Sequence, residues 1–260
     1  MSDLLQAVWL GVIEGITEFL PISSTGHLLI AEHWLGARSE LFNVAIQAGA
    51  ILAAVVVFWP RLMALLFGLG EHRNRDYLLK LSVAFVITAV GGFVAKKAGM
   101  QLPQAVAPVA AALILGGVLM LLIEWLLANR AEIAEVTWSV AFWVGASQIL
   151  AAVFPGTSRS AATIFAAMLA GMTSRPAATE FAFLVGIPTM FAATAFEFLQ
   201  LRGAAPVQEN WNALAVAFVV SAVVAFIAVR WLLRYVQTHR FTAFAWYRII
   251  AGIVLLAIVR

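Results

Sequence analysis

The chain of 260 residues is 63% hydrophobic and 11% charged, with a mean hydropathy of +0.98. A soluble domain carries about 25% charged residues, so this much apolar surface has to face lipid. The net charge of +3 and pI near 9.7 come from Arg and Lys in connecting segments and give no ground for nucleic-acid binding, and a chain without cysteine has neither disulfides nor thiolate metal sites.

The N-terminus has no basic stretch and no small-residue cleavage site, so no removable signal peptide is expected. The first apolar segment, 3–20, is broken by Glu14 and Glu18 and stops at Pro21. A polar turn, Pro21-Ile-Ser-Ser-Thr-Gly-His27, leads into a second short segment at 27–36, with helix expected from about Gly26 or His27. Spans follow at 42–60, 77–98 and 104–127, each near the roughly 20 residues that cross a bilayer. Another short pair, 137–154 and 160–172, flanks the turn Pro155-Gly-Thr-Ser-Arg-Ser160. Further spans are expected at 177–201, 211–236 and 241–259. The expectation is an all-α integral membrane protein with six transmembrane helices plus two re-entrant helical hairpins, whose turns need protein or a water-filled cavity around them.

The two interrupted segments resemble one another. Gly11 to His27 and Gly145 to Ala161 each place a glycine ten residues before a proline and hydroxyls after it, at an offset of 145 − 11 = 134. That is close to half the chain, so repeat 1 is read as about 1–130 and repeat 2 as about 131–260. Counted from the prolines, Glu14 stands opposite Gln148, Glu18 opposite Ala152 and Thr25 opposite Arg159. Loop charge sets orientation. Arg61, Arg73, Arg75, Lys80, Arg130, Arg175, Arg234 and Arg240 fall on one side, expected to be cytoplasmic; Arg38, Lys96, Lys97, Arg202 and Arg260 fall on the other. Both termini are then outside, and the hairpins enter from opposite faces as an inverted-topology repeat, their tips meeting near the midplane.

Glu14 and Glu18 are four apart and share one helix face. An acidic residue at a helix centre in lipid costs about 2.5–3.5 kcal/mol on insertion scales. Two of them suggest a divalent cation site, Mg²⁺ or Ca²⁺, completed by substrate and water, or a proton donor and acceptor; solvation at headgroup level is the plain alternative. Ser23, Ser24, Thr25 and His27 sit where a helix start presents free N–H groups to an anion. N-capping explains one such hydroxyl. Ser158, Arg159 and Ser160 repeat the arrangement with a planar cation suited to phosphate; a structural ion pair of Arg159 with Glu14 or Glu18 is the alternative. Thr163, one turn on, either faces the site or bonds back to its own helix. Gln47 and Gln148 line the cavity or link helices, the second being the expected role for each.

Glu14-Gly-Ile-Thr-Glu18, Pro21-Ile-Ser-Ser-Thr-Gly-His27 and Pro155-Gly-Thr-Ser-Arg-Ser-Ala-Ala-Thr163 resemble, in order and spacing, three signatures of the undecaprenyl-diphosphate phosphatase (UppP or BacA) family. The likeness covers nearly the whole chain, including the Gln47-Ala-Gly-Ala-Ile-Leu-Ala run and the Tyr247-Arg248 region; Ala161 departs from the family's frequent glycine. The resemblance implies a bacterial inner-membrane enzyme with its site open to the periplasm. It would hydrolyse undecaprenyl diphosphate to the lipid carrier of cell-wall synthesis, with bacitracin resistance as a consequence. It implies catalytic roles for Glu14, Glu18, Ser24, His27 and Arg159, and substrate contacts from Ser23, Thr25, Ser158, Ser160 and Thr163. Ser24 is the expected nucleophile and His27 its rival. The expected partners are a polyprenyl diphosphate, membrane lipids and, through the small-residue stretches 88–92 and 110–117, a second copy. A transporter or flippase of polyprenyl phosphate or another anion is the competing reading, because inverted repeats with broken helices also build transporters.

Overall fold

A computed structural model describes residues 2–100, 105–201 and 210–258; Arg202 and Arg260, placed above by charge, lie outside them. Every regular element in the described residues is an α-helix. Helices α1 (Asp3–Thr17) and α2 (Ser24–Leu35) form the first hairpin. Helices α3 (Glu40–Phe67), α4 (His72–Lys97) and α5 (Val106–Leu126) follow. Helices α6 (Trp138–Val153) and α7 (Arg159–Leu169) form the second hairpin, and α8 (Arg175–Leu201), α9 (Trp211–Tyr235) and α10 (Thr242–Ile258) complete the bundle.

Length separates the two kinds of helix. Five helices, α3, α4, α5, α8 and α9, are long and apolar enough to cross a membrane. The sixth expected span, α10, has 17 residues described, the lower end of the spanning range. The hairpin helices have 15, 12, 16 and 11 residues; at about 1.5 Å per residue none matches the roughly 30 Å of a hydrocarbon core. Large apolar side chains such as Trp59, Val90, Leu115 and Ile227 remain more than half exposed around the bundle, the pattern expected where lipid is the solvent.

Two expected boundaries move. The first span does not end at Pro60: α3 continues to Phe67 with Pro60 inside it. The added turns are held by Leu65, which is fully buried, and by Arg61, whose Nε donates to Glu180 of α8 at 2.9 Å. Helix α2 starts at Ser24 rather than Gly26 or His27, because Ser23 is its N-cap.

The hairpins enter from opposite faces. Asp3, at the start of α1, accepts hydrogen bonds from Arg38, just before α3, and from Asn210, just before α9. Trp138, at the start of α6, lies under the Lys80 ammonium near the start of α4, 5.5 Å from its ring centre. Because α3 crosses between these ends, the two hairpin entrances are on opposite sides. Packing is paired in the same sense: α1 lies along α9 and α6 along α4. Glycine makes both contacts close. A Cβ on Gly11 would come within 2.6 Å of the Ala217 carbonyl oxygen, and one on Gly145 within 2.6 Å of that of Ala84.

Candidate active site

Both hairpin turns use the same local device. Ser23 and Ser158 have φ of 75° and 67°, and no other described non-glycine residue has a positive φ. A left-handed serine costs steric energy, and here each one reverses the chain and caps the next helix. Ser23 Oγ accepts from Gly26 N–H at 3.5 Å and Ser158 Oγ from Ala161 N–H at 3.3 Å. These caps are 135 apart, not 134, so the register slips by one residue after the prolines. The residue that opens α2 is Ser24 and the residue that opens α7 is Arg159. Arg159 therefore corresponds structurally to Ser24, not to Thr25 as counting from the prolines suggests.

These two first-turn residues converge on Glu18, which lies just beyond α1 and is 7% exposed. Ser24 Oγ donates to Glu18 Oε2 at 2.5 Å, and Arg159 Nη2 donates to Glu18 Oε1 at 2.5 Å. One carboxylate thus joins a hydroxyl from one hairpin to a guanidinium from the other. A second link, Ser160 Oγ to the Leu20 carbonyl at 2.9 Å, also crosses between hairpins. Glu14 is 2% exposed, and its Oε2 is buried with no hydrogen-bond partner among the described residues.

Two cavities meet at this point. An outer one of about 500 Å³ is lined by Glu14 and by Glu32, Glu40, Lys96 and Glu197 near the end where Asp3 and Arg38 lie. An inner one of about 240 Å³ is lined by Glu18, Arg159, Ser158, Thr88, Gln148 and Thr189. Ser24, Thr25 and Gln47 line both. Outside the outer cavity's carboxylates, the polar groups around the inner one are neutral or cationic, apart from Glu18. An anion would therefore be held on the Arg159 side.

The remaining expected site residues take different places. His27 Nδ1 lies 2.7 Å from the Ser23 carbonyl, which can only accept, so this nitrogen carries the proton. Its Nε2 then accepts from the Tyr247 hydroxyl at 2.6 Å, and the two rings stack 5.5 Å apart. Both ring nitrogens are committed. Ser158 Oγ and Ser160 Oγ are 3.1 Å apart and both buried. Thr163 Oγ1 bonds back to the carbonyls of Arg159 and Ser160 at 2.8 and 3.1 Å and lines neither cavity. Gln148 links helices as expected, donating to Thr88 at 3.1 Å and accepting from Thr189 at 2.9 Å. Gln47 does not: it makes no hydrogen bond with the described residues.

One residue quoted only as part of the family likeness turns out to hold the site together. Arg248, on α10, is fully buried. Its guanidinium donates to the carbonyls of Pro21 in the first turn (3.3 Å) and of Gly156 and Thr157 in the second (3.1 and 3.0 Å), as well as to Ala112 and Leu113 of α5. Turn carbonyls left by two broken helices are satisfied by one planar fork. Gly156, at φ 90°, lies against α5, where a Cβ would meet the Val109 carbonyl oxygen at 2.7 Å. The signal was in the sequence: an arginine within a 19-residue apolar run has to be paid for by partners.

The architecture is that of a multi-pass membrane protein with a phosphate-suited polar centre buried between two broken helices. The chain belongs to the family described as bacitracin resistance protein BacA, which matches residues 7–254. It is 60% identical over 255 residues to the undecaprenyl-diphosphatase of Rhizobium etli, covering 98% of this chain and 96% of that protein. The undecaprenyl-diphosphatase of Stenotrophomonas maltophilia is 60% identical over 257 residues, with 98% and 97% covered. That of Xanthomonas oryzae is 56% identical over 257 residues, again with 98% and 97% covered.

Proposed function

We propose that this protein hydrolyses undecaprenyl diphosphate to undecaprenyl phosphate and inorganic phosphate, returning the lipid carrier to cell-wall synthesis and so opposing bacitracin. Its relatives carry the name undecaprenyl-diphosphatase at up to 60% identity over nearly the full length. The observation that carries the mechanism is the Ser24–Glu18–Arg159 bridge. Ser24 Oγ attacks the terminal phosphorus, and its proton passes to Glu18 Oε2. The bond from that phosphorus to the bridging oxygen breaks, and undecaprenyl phosphate leaves into lipid. The phosphoserine is then hydrolysed by water. Arg159 spends only Nη2 on Glu18, so its other N–H groups are available to the equatorial phosphate oxygens together with the N–H groups that open α2 and α7. Fixed donors of this kind do most of the work in phosphoryl transfer.

The commitment of both His27 nitrogens favours serine over histidine as nucleophile. His27 then holds the Ser23 turn in shape. Ser23, Ser158, Ser160 and Thr163 support the donor array, and Thr25 is the hydroxyl in this group that faces substrate in both cavities.

The carboxylates fit a resident divalent cation poorly. Both Glu18 oxygens are engaged, and among the described residues no group of three His, Cys, Asp or Glu could hold a metal. Glu14 alone offers an uncommitted oxygen. A Mg²⁺ or Ca²⁺ ion would therefore be held by the diphosphate oxygens of the substrate rather than by Glu14 and Glu18, and would supply charge neutralisation there.

We place the outer cavity on the periplasmic side with both termini outside, and read the chain as two inverted copies, about 1–130 and 131–260. The small-residue stretches expected to pair two copies pack within the chain instead, Gly91 against Ile149 and Gly116 and Gly117 against Arg248 and Ala245. The test is phosphate release from undecaprenyl diphosphate by the purified protein in detergent. Ser24→Ala should lower turnover by about 10³-fold or more; full turnover in that variant, with label trapped on histidine, contradicts the serine mechanism.

A further inference from the structure

We propose that Gln47 is a catalytic residue of the second half-reaction: its side-chain amide holds the water that attacks the phosphoserine. The proposal rests on Ser24 as nucleophile and adds a role that the sequence motifs do not include. Three observations meet at this residue. Gln47 sits two turns into α3, a membrane-crossing helix, where an amide is costly without a partner. It has no hydrogen bond to any described residue, whereas Gln148, the other glutamine in this region, is held by Thr88 and Thr189. And it lines both cavities, together with Ser24 and Thr25.

That position suits a specific task. Water reaches the site through the larger outer cavity, while the phosphate sits on the Arg159 side. An amide at the junction offers both an acceptor and a donor, so it can fix a water between the two. Glu14 lines the same outer cavity, and its Oε2 is buried and uncommitted. Water oxygen bonds to phosphorus, and the phosphorus–Ser24 Oγ bond breaks. Glu18 returns to Ser24 Oγ the proton it took in the first step. The proton of the attacking water passes to the Glu14 carboxylate and leaves through the outer cavity. Over the whole cycle one proton is released for each diphosphate cleaved to two phosphate dianions.

The experiment uses full-length protein in detergent micelles and undecaprenyl diphosphate labelled with ³²P on the terminal phosphate, quenched in acid. In Gln47→Leu, steady-state kcat should fall about 100-fold with KM not raised. One equivalent of undecaprenyl phosphate should still appear in a fast burst, and ³²P should accumulate on Ser24. Gln47→Asn, which keeps an amide on a shorter arm, should lie between this variant and the wild type and provides the readout if Gln47→Leu does not fold. Loss of turnover without accumulated label, a raised KM at unchanged kcat, or normal kcat overturns the role for Gln47. Full turnover in Ser24→Ala, or ³²P recovered on another residue of the wild-type protein, overturns the Ser24 mechanism and this inference with it.

Discussion

The two hairpins share one scaffold and differ in what they place at its tip. Each runs a short helix to a proline, turns on a left-handed serine and restarts a helix capped by that serine. The first restarts on Ser24 and the second on Arg159, and both side chains reach the same carboxylate. The same local geometry thus occurs twice, and the residue that opens the second helix differs, serine in one hairpin and arginine in the other. The acidic pair has no counterpart in the second hairpin, where Gln148 and Ala152 occupy the matching places and Gln148 ties helices together. In the proposed mechanism the first hairpin carries the proton chemistry and the second holds charge.

That division can be broken most sharply at Arg159. Arg159→Lys keeps a positive charge and loses the fork that serves Glu18 and phosphate at once; kcat/KM should fall about 100- to 1,000-fold, measured as phosphate release. Near-normal activity would mean that the second hairpin supplies only a point charge. Arg248→Leu tests what the tips share. It leaves the turn carbonyls of Pro21, Gly156 and Thr157 without their donor, at about 1–3 kcal/mol for each buried group that water cannot reach. The expected result is a clearly lowered melting temperature in detergent with activity reduced at least tenfold, partly recovered in Arg248→Lys.

Gly11→Ala and Gly145→Ala test whether the scaffolds are equivalent. Both methyl groups would meet a backbone carbonyl at 2.6 Å, so each should cost about 1–3 kcal/mol, seen as similar drops in thermal stability. A large effect at one site and none at the other would separate the hairpins structurally. The smallest effect is expected at Thr163→Val. Its hydroxyl is spent on its own helix, so stability should change by no more than about 1 kcal/mol and KM should stay within a factor of about two.

Much of this was legible in the residues. Prolines inside polar runs, carboxylates four apart and an arginine beside serines located both hairpins, because such groups are too costly in lipid to be incidental. The number of helices and the opposed entry followed from segment length and loop charge. Other features depend on backbone geometry that no motif encodes. The one-residue slip that pairs Ser24 with Arg159 arises because one residue separates Pro21 from its capping serine and two separate Pro155 from its own; which serine takes the left-handed capping position is not announced by side-chain identity. The extension of α3 past Pro60 goes with tertiary contacts, the burial of Leu65 and the bond of Arg61 to Glu180, 119 residues away. Arg248 was visible as an arginine in an apolar segment, but its acceptors are carbonyls from three separate elements, and carbonyls are present at every position of every sequence. Gln47 and Gln148 look alike in sequence; only the neighbouring Thr88 and Thr189 decide that one is satisfied and the other is not.

The proposed mechanism needs the two tips to touch, and the absence of cysteine makes that directly measurable. Leu20→Cys and Ser160→Cys, introduced together, place one thiol on each of two residues that the bond from the Ser160 hydroxyl to the Leu20 backbone carbonyl holds together at 2.9 Å. The membrane-embedded protein is treated with a short thiol-to-thiol crosslinker and then cut by a protease at a site engineered into the 127–137 connection. Touching tips predict two halves that stay joined until the crosslink is reduced. Halves that separate at once, with both thiols still open to alkylation, would contradict it.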